Sequence, residues 1–194
     1  MQILVRINEE GALRNQRFAF TDRFTLVSEL LQNARRAGAM RIEIHYDATT
    51  QVLQVEDDGR GLDDFQKLLS FHESGWDAAT SAEERPFGVG FSKCLYAATR
   101  CIVASKQQRV DIDTAAALAK ASIEVESITE AVAGTRIELH GVDLPDLGNR
   151  IESLCLGFPV EVLFNGKPLL RRFAAANLRR WPARWARSTS PVRG

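Results

Sequence analysis

The chain predicts an α/β fold: a mixed β-sheet with helices packed on one face, a two-layer sandwich. Three observations point there. In SELLQNARRAGA, Leu30, Leu31 and Ala34 fall on one face of a helix, while RIEIHYD and VLQVED alternate apolar and polar residues as strands do. The turn between those two strands is short, so they form an antiparallel hairpin. The later helices and strands do not follow strict β-α-β alternation, which suggests a mixed sheet with its helices on one side.

The elements follow in chain order. MQILVRI alternates and reads as a short edge strand, and residues 8–20 are polar and irregular. Thr21, Asp22 or Thr25 can cap the first long helix, and Gly38 can stop it. Strands at 42–46 and 52–57 come next, with ATTQ as their turn. DDGRGL ends the second strand with two glycines, and DDFQKLLSFH restarts as a short helix with Asp63 as its cap. Residues 73–87 are small, polar and aperiodic and read as a mobile loop; GVGFSKCLYAAT starts with glycines and becomes helical. Strands are predicted at 101–105, 108–113, 121–127 and 134–140, and a helix at about 146–156. VEVLF-NG-KPLL is a hairpin, because Asn165-Gly166 favours a type I′ turn. These elements make one domain over residues 1–170, followed by a basic tail at 171–194.

Composition is that of a globular chain, 45% hydrophobic and 26% charged, with a formal net charge of zero. That balance gives no overall drive toward nucleic acid or membrane. The charge is uneven, however. Seven arginines and no acid fall after residue 170, leaving 18 basic residues against 25 acidic in the body. Cys94, Cys101 and Cys155 have neither metal nor disulfide spacing, which fits a reducing compartment. The first residues lack the apolar stretch of a signal peptide, and no run approaches a membrane span. A soluble, cytoplasmic protein is expected.

Four short segments carry the chemistry. They are Glu29-x-x-x-Asn33 on a helix, Asp57-Asp58-Gly59-Arg60-Gly61 at a strand end, Gly88-Val89-Gly90 at a helix start, and Gly134-Thr135 opening a strand. Each alone is a weak signal. Together they suit a nucleotide. Glycines at a helix start let backbone N–H groups approach phosphate. A carboxamide oxygen is a hard ligand for magnesium, which keeps waters and borrows phosphate oxygens. A glutamate can orient and deprotonate a water for in-line attack on a terminal phosphate. A carboxylate at a strand end can accept a hydrogen bond from an exocyclic amine, and a flanking glycine leaves room for a flat base. The polar loop before the glycines is placed to act as a lid.

With that set in order, the chain resembles the GHKL superfamily, the Bergerat-fold ATPases: gyrase B subunits, heat-shock chaperone ATPases, sensor histidine kinases and MutL proteins. ELLQNARRAGAMRIEI looks most like MutL, and FGVGFSKCLYAATRCIVASK looks like the glycine box of MutL and the chaperones. The resemblance covers about residues 20–140. It implies a largely antiparallel sheet, ATP as substrate and Mg2+ as cofactor. Glu29 would be the general base and Asn33 the magnesium ligand. Asp57 would bind the adenine amine. Gly59, Gly61, Gly88, Val89, Gly90, Phe91 and Thr135 would complete the nucleotide site, with Thr135 acting through water. Arg60 reads as solvated, Ser92 and Lys93 as plain first-turn residues, and Leu30, Leu31, Val55, Leu95 and Ile137 as core.

Glu29 favours a hydrolase, since the sensor kinases usually place Asn at that helix position. None of the three histidines, His45, His72 and His140, lies on an upstream helical hairpin. The implied activity is Mg2+-dependent hydrolysis of ATP to ADP and phosphate, with lid closure as a conformational switch. The alternative is a nucleotide-binding interaction module with negligible hydrolysis, and a histidine-kinase-like phosphotransferase ranks below both. Arg36 stands where chaperones and MutL commonly carry an Asp, and is read as a solvent-facing charge. Gyrase and MutL relatives take a phosphate-sensing lysine from a following domain. Here a partner is expected to supply one, or none is present, with slow turnover in isolation. ATP-dependent homodimerisation or a protein partner is implied. The tail, with Trp181 and Trp185 among its arginines, is a solvated terminus, a docking segment for protein or nucleic-acid backbone, or a strand of charge folded onto the acidic body.

Overall fold

The computed structural model describes residues 4, 8–20, 22–70 and 91–174. Its elements are α1 (Glu9–Gln16), α2 (Phe24–Arg36), β1 (Arg41–Asp47), β2 (Val52–Asp57), α3 (Ser92–Ala97), β3 (Arg100–Asp113), α4 (Thr114–Leu118), β4 (Val125–His140), α5 (Leu147–Cys155), β5 (Glu161–Phe164) and β6 (Lys167–Pro168). Short 3-10 turns lie at Arg17–Ala19 and Phe65–Leu68. The edge strand expected at MQILVRI, apart from Leu4, and the mobile loop expected at 73–87 lie outside the described residues.

The strands form one six-stranded sheet in the order β3-β4-β2-β1-β5-β6, antiparallel except for the β1–β5 pair. The alternation read from sequence decides which face is covered. Ile42, Ile44, Leu53, Val55, Cys101, Val103, Leu139 and Val162 are all buried, and they pack with Leu26, Val27, Leu30 and Leu31 of α2 and Leu147, Ile151 and Cys155 of α5. Leu95 and Ile137 join the same core, as expected. Truncating a fully buried member such as Leu31 to alanine removes about 2–5 kcal/mol. The alternate residues Glu43, His45, Gln54, Glu56, Arg136 and Glu138 sit in register on the other, uncovered side. There Arg136 pairs with Glu56 at 2.9 Å and Gln54 donates to Glu138 at 2.8 Å.

α2 ends as its sequence predicts. Gly38 has φ +79°, its N–H reaches Arg35 O at 3.0 Å, and Ala39 N–H reaches back to Ala34 O at 3.0 Å, which is a Schellman closure. At the start, Asp22 accepts from the Phe24 N–H at 3.0 Å. The Asn165-Gly166 turn has φ 47° and 76°, the paired left-handed values a type I′ turn requires. All three cysteines are buried free thiols.

Several expectations are corrected. Residues 8–20 are not irregular: Asn8 caps α1 through the Gly11 N–H at 3.0 Å, with Glu9 and Glu10 in the first turn. The helix buries none of its residues, so it has no apolar period to read. The segment after DDGRGL is a single 3-10 turn capped by Asp64 rather than a helix capped by Asp63. The strands predicted at 101–105 and 108–113 are halves of one run, β3. That run doubles back near Lys106, φ 54°, because its ends meet: Thr114 N–H donates to Thr99 O at 3.3 Å. A straight strand of that length would hold them roughly 45 Å apart. Likewise 121–127 and 134–140 merge into β4. α4 was not expected; Asp113 caps it through the Ala116 N–H.

Candidate functional site

Helical spacing sets one edge of the site. Glu29, Asn33 and Ala37 follow one another at single-turn intervals, beside the buried stripe of α2. At ~1.5 Å rise per residue, this row extends about 12 Å along the helix axis. Glu29 and Asn33 are both half-buried, as an edge position between core and solvent requires.

At the Glu29 end stands α3. Lys93, in its first turn, donates from Nζ to Glu29 Oε1 at 3.0 Å, with side chains 15% and 32% exposed. The same ammonium lies 5.9 Å from the centroid of the Phe20 ring, and Phe20 in turn tilts against Tyr96 at 5.6 Å. Tyr96 Oη donates to Leu13 O at 2.7 Å, tying the N-terminal segment to α3. Lys93 is therefore not a plain first-turn residue. The sequence signal for it was weak, since a lysine 64 positions away carries no spacing relation to Glu29.

At the other end, the DDGRG turn docks on the last residues of α2. Arg60 N–H donates to Ala37 O at 3.0 Å, and a Cβ on Gly59 would lie 2.9 Å from the Ala37 Cβ. Asp58 Oδ1 accepts the Met40 and Arg41 N–H groups at 2.7 and 2.9 Å, anchoring the turn to the start of β1. Asp57 has the opposite orientation. It shares the covered face with Leu53 and Val55, is half-buried, and pairs in register with Thr135 of β4. Its carboxylate accepts the Gly59 N–H at 2.8 Å and a backbone bond from Thr135. Burial, reinforced by the nearby Asp58 and Glu56 charges, pushes its pKa up to about 6 despite those bonds.

The glycines around Asp57 are required by close approach. A Cβ on Gly134 would stand 2.1 Å from Asp57 O and 2.7 Å from Gly59 N. Gly61 has φ +73°, and a Cβ there would meet Ser105 Oγ at 2.5 Å. Ser105, fully buried, was not anticipated. Its hydroxyl donates to Gly134 O at 2.6 Å and accepts from Leu62 N–H at 2.8 Å, so it pins the turn to both β3 and β4.

Thus α2 brings Glu29 and Asn33 onto one edge, and the turn that carries Asp57, Gly59 and Gly61 seats at the end of that edge, with Thr135 alongside. Phe91 is the N-cap position of α3, packed against the core. Gly88, Val89 and Gly90 lie outside the described residues. Arg36, expected in solvent, is half-buried, and its guanidinium donates to Asn33 Oδ1 at 3.3 Å. A residue three positions on shares the helix side of Asn33, which draws it inward.

Among the described residues no group of three or more His, Cys, Asp or Glu side chains could hold a metal. The Asn33 carboxamide does fit a magnesium ion that takes most of its ligands from phosphate and water. Asn33 is half-buried, and the 3.3 Å bond its oxygen accepts from Arg36 is long and readily exchanged. The depression on the uncovered face, lined by His45, Gln54, Glu138 and His140, contains none of the anticipated residues.

Residues 22–143 match the family described as histidine kinase-, DNA gyrase B-, and HSP90-like ATPase. That span includes every anticipated site residue, and also Lys93 and Ser105. Comparison with curated proteins gave no match.

Proposed function

Since the chain belongs to the histidine kinase-, DNA gyrase B-, and HSP90-like ATPase family, we propose that it binds ATP with Mg2+ and hydrolyses it to ADP and phosphate. Membership supports ATP binding; hydrolysis and the residue roles are our reading. The observation that carries it is the continuous edge from the Glu29–Lys93 pair, through Asn33, to the half-buried Asp57 at the Ala37 end.

Asp57 accepts the exocyclic amine of adenine. A carboxylate held in a desolvated position, where it accepts the Gly59 N–H and a backbone bond from Thr135, gains from a further donor that replaces lost water. Gly59 and Gly61 let the turn that carries Asp57 close on Ala37 and Ser105 and so hold the adenine end in place, and Thr135 supports the same end. Asn33 supplies a hard oxygen to Mg2+, which when bound neutralises phosphate charge. Glu29, two turns from the base end, accepts the proton of an attacking water as the new P–O bond forms. The bond to the bridging oxygen breaks, and ADP leaves. Gly88, Val89 and Gly90 contact phosphates, with Phe91 at their edge, and the segment before them closes as a lid and switches association with a second copy or a protein partner. The arginine-rich tail contacts that partner or nucleic-acid backbone. Among the described residues no helix is long and apolar enough to cross a membrane; a cytoplasmic location remains part of the proposal.

A thermal-shift panel tests binding. ATP with Mg2+ should raise the melting temperature more than other nucleotides do, by mass action; no preference for ATP would defeat the reading. Turnover tests the chemistry. Glu29→Ala should retain ATP binding and lose phosphate release by about 100-fold or more, the scale of a missing general base. Unchanged release would move the base elsewhere. A second reading, a nucleotide-dependent binding switch with negligible hydrolysis, is favoured by one observation: the proposed base is engaged by Lys93. Native turnover measured with and without a partner separates the two.

A further inference from the structure

We propose that Lys93 reads the terminal phosphate of the nucleotide and holds Glu29 until that phosphate arrives. This rests on the nucleotide reading above. The Lys93 ammonium has three donors, and among the described residues only Glu29 Oε1 accepts a hydrogen bond from it, at 3.0 Å. Its other neighbour is a ring face, Phe20, at 5.9 Å, which stabilises the cation without occupying a donor. At 15% exposure the Lys93 side chain is largely shielded from water, so its preference between anions is strong, while the Glu29 side chain at 32% opens toward solvent.

Position along α2 selects the phosphate. Asp57 and Gly59 fix the base end at Ala37; Asn33 is one turn away and Glu29 two. A ligand laid along that edge presents its first phosphates near Asn33 and only its last at Lys93. A diphosphate stops short. With a triphosphate, the ammonium exchanges the single carboxylate oxygen for the more highly charged phosphate. Glu29 then loses its donor and can take a proton from water. The pair is thus a latch: it keeps the base occupied in the empty and ADP-bound chain and releases it when the third phosphate is present. The phosphate-sensing lysine expected from a partner is supplied by the chain itself.

Titration calorimetry of the full chain with ATP and with ADP, each with Mg2+, tests this. The native chain should prefer ATP. Lys93→Met, close in length but uncharged, should lose about tenfold or more in ATP affinity with ADP unchanged, and Lys93→Arg should restore part of the difference. Equal loss for both nucleotides would make Lys93 a structural brace, and no loss for either would remove it from the site; both overturn the latch. Should Lys93→Met fold poorly, Glu29→Gln gives the converse test. It frees the ammonium and should raise ATP affinity selectively, whereas parallel changes for ATP and ADP overturn the proposal. A native chain that binds neither nucleotide would defeat the functional reading itself, a separate outcome.

Discussion

Asp57 and Asp111 are both strand aspartates, yet the molecule treats them in opposite ways. Asp111 lies near the end of β3 between two arginines. It accepts from Arg100 at 2.7 and 2.5 Å and from Arg109 at 2.7 Å, and Arg109 continues to Glu126 at 3.2 Å. Hydrogen bonding to Arg100 holds its pKa down at about 2, against the cost of burial. Asp57 lies on the covered face with, among the described residues, backbone donors alone, and desolvation raises it to about 6. One carboxylate has its lone pairs filled by side-chain cations. The other keeps capacity for a further donor and bears the cost of an ionised group removed from water. The first is a brace; the second is suited to meet a ligand.

Three changes would break or sharpen that contrast. The largest effect belongs to Gly134→Ala, whose new methyl would collide with Asp57 O at 2.1 Å. It should cost about 3 kcal/mol or more in denaturant unfolding and abolish any nucleotide response. A mild loss would mean that the turn can be built without this close approach.

Asp57→Asn comes next. It should weaken ATP binding roughly tenfold to a hundredfold, since an ionised acceptor is lost, while leaving the empty chain at pH 7 no less stable. The pH dependence has a definite sign. The folded chain keeps the Asp57 proton up to about pH 6, whereas the unfolded reference releases it near 3.8. The stabilisation from that proton is complete below the unfolded value and disappears as pH rises through the folded one, about 3 kcal/mol in all. ATP affinity should run the other way, falling below about pH 6 as the acceptor is protonated. In Asp57→Asn both slopes should flatten, and an unchanged stability profile in that window would assign the slope to other groups.

Asp111→Asn should have the smallest effect, about 1 kcal/mol or less because its partners are partly solvated, with ATP binding untouched. Its native contribution is present above the unfolded value of 3.8 and is lost only as pH falls through about 2. If this variant altered nucleotide affinity, the two regions would not be independent.

The fold was legible where side chains repeat with a period. Ile42 and Ile44, Leu53 and Val55, and Leu30, Leu31 and Ala34 announced their elements because burial enforces the repeat. The Asn165-Gly166 turn was legible because its φ values restrict which residues fit. α1 was missed because its stability comes from the Asn8 cap and from contacts such as Glu9 with Lys120 at 2.6 Å, not from an apolar stripe. The reversal in β3 was missed because Lys106 carries no residue signal for a left-handed φ. In the site, Glu29, Asn33 and the Asp57 turn could be named from local spacing and glycine content. Lys93, Ser105 and the inward turn of Arg36 depend on tertiary approach. A hydroxyl that bridges two strands and a turn has no signature along the chain.

The parallel pairing of β1 with β5 has a consequence for where the chain can be cut. The family match stops at residue 143, but Arg41–Ile44 are hydrogen-bonded to Glu161–Phe164, and Asn165 extends that seam by accepting the Tyr46 N–H at 2.9 Å. Beyond it, Phe173 N–H reaches Leu156 O at 2.7 Å and Ala174 is fully buried. A fragment trimmed to the matched span would leave β1 as a bare, apolar rim, open to pairing with other chains. The smallest piece that should keep β1 covered therefore runs through residue 174, and premature termination before β5 should yield aggregates rather than a shorter, working protein.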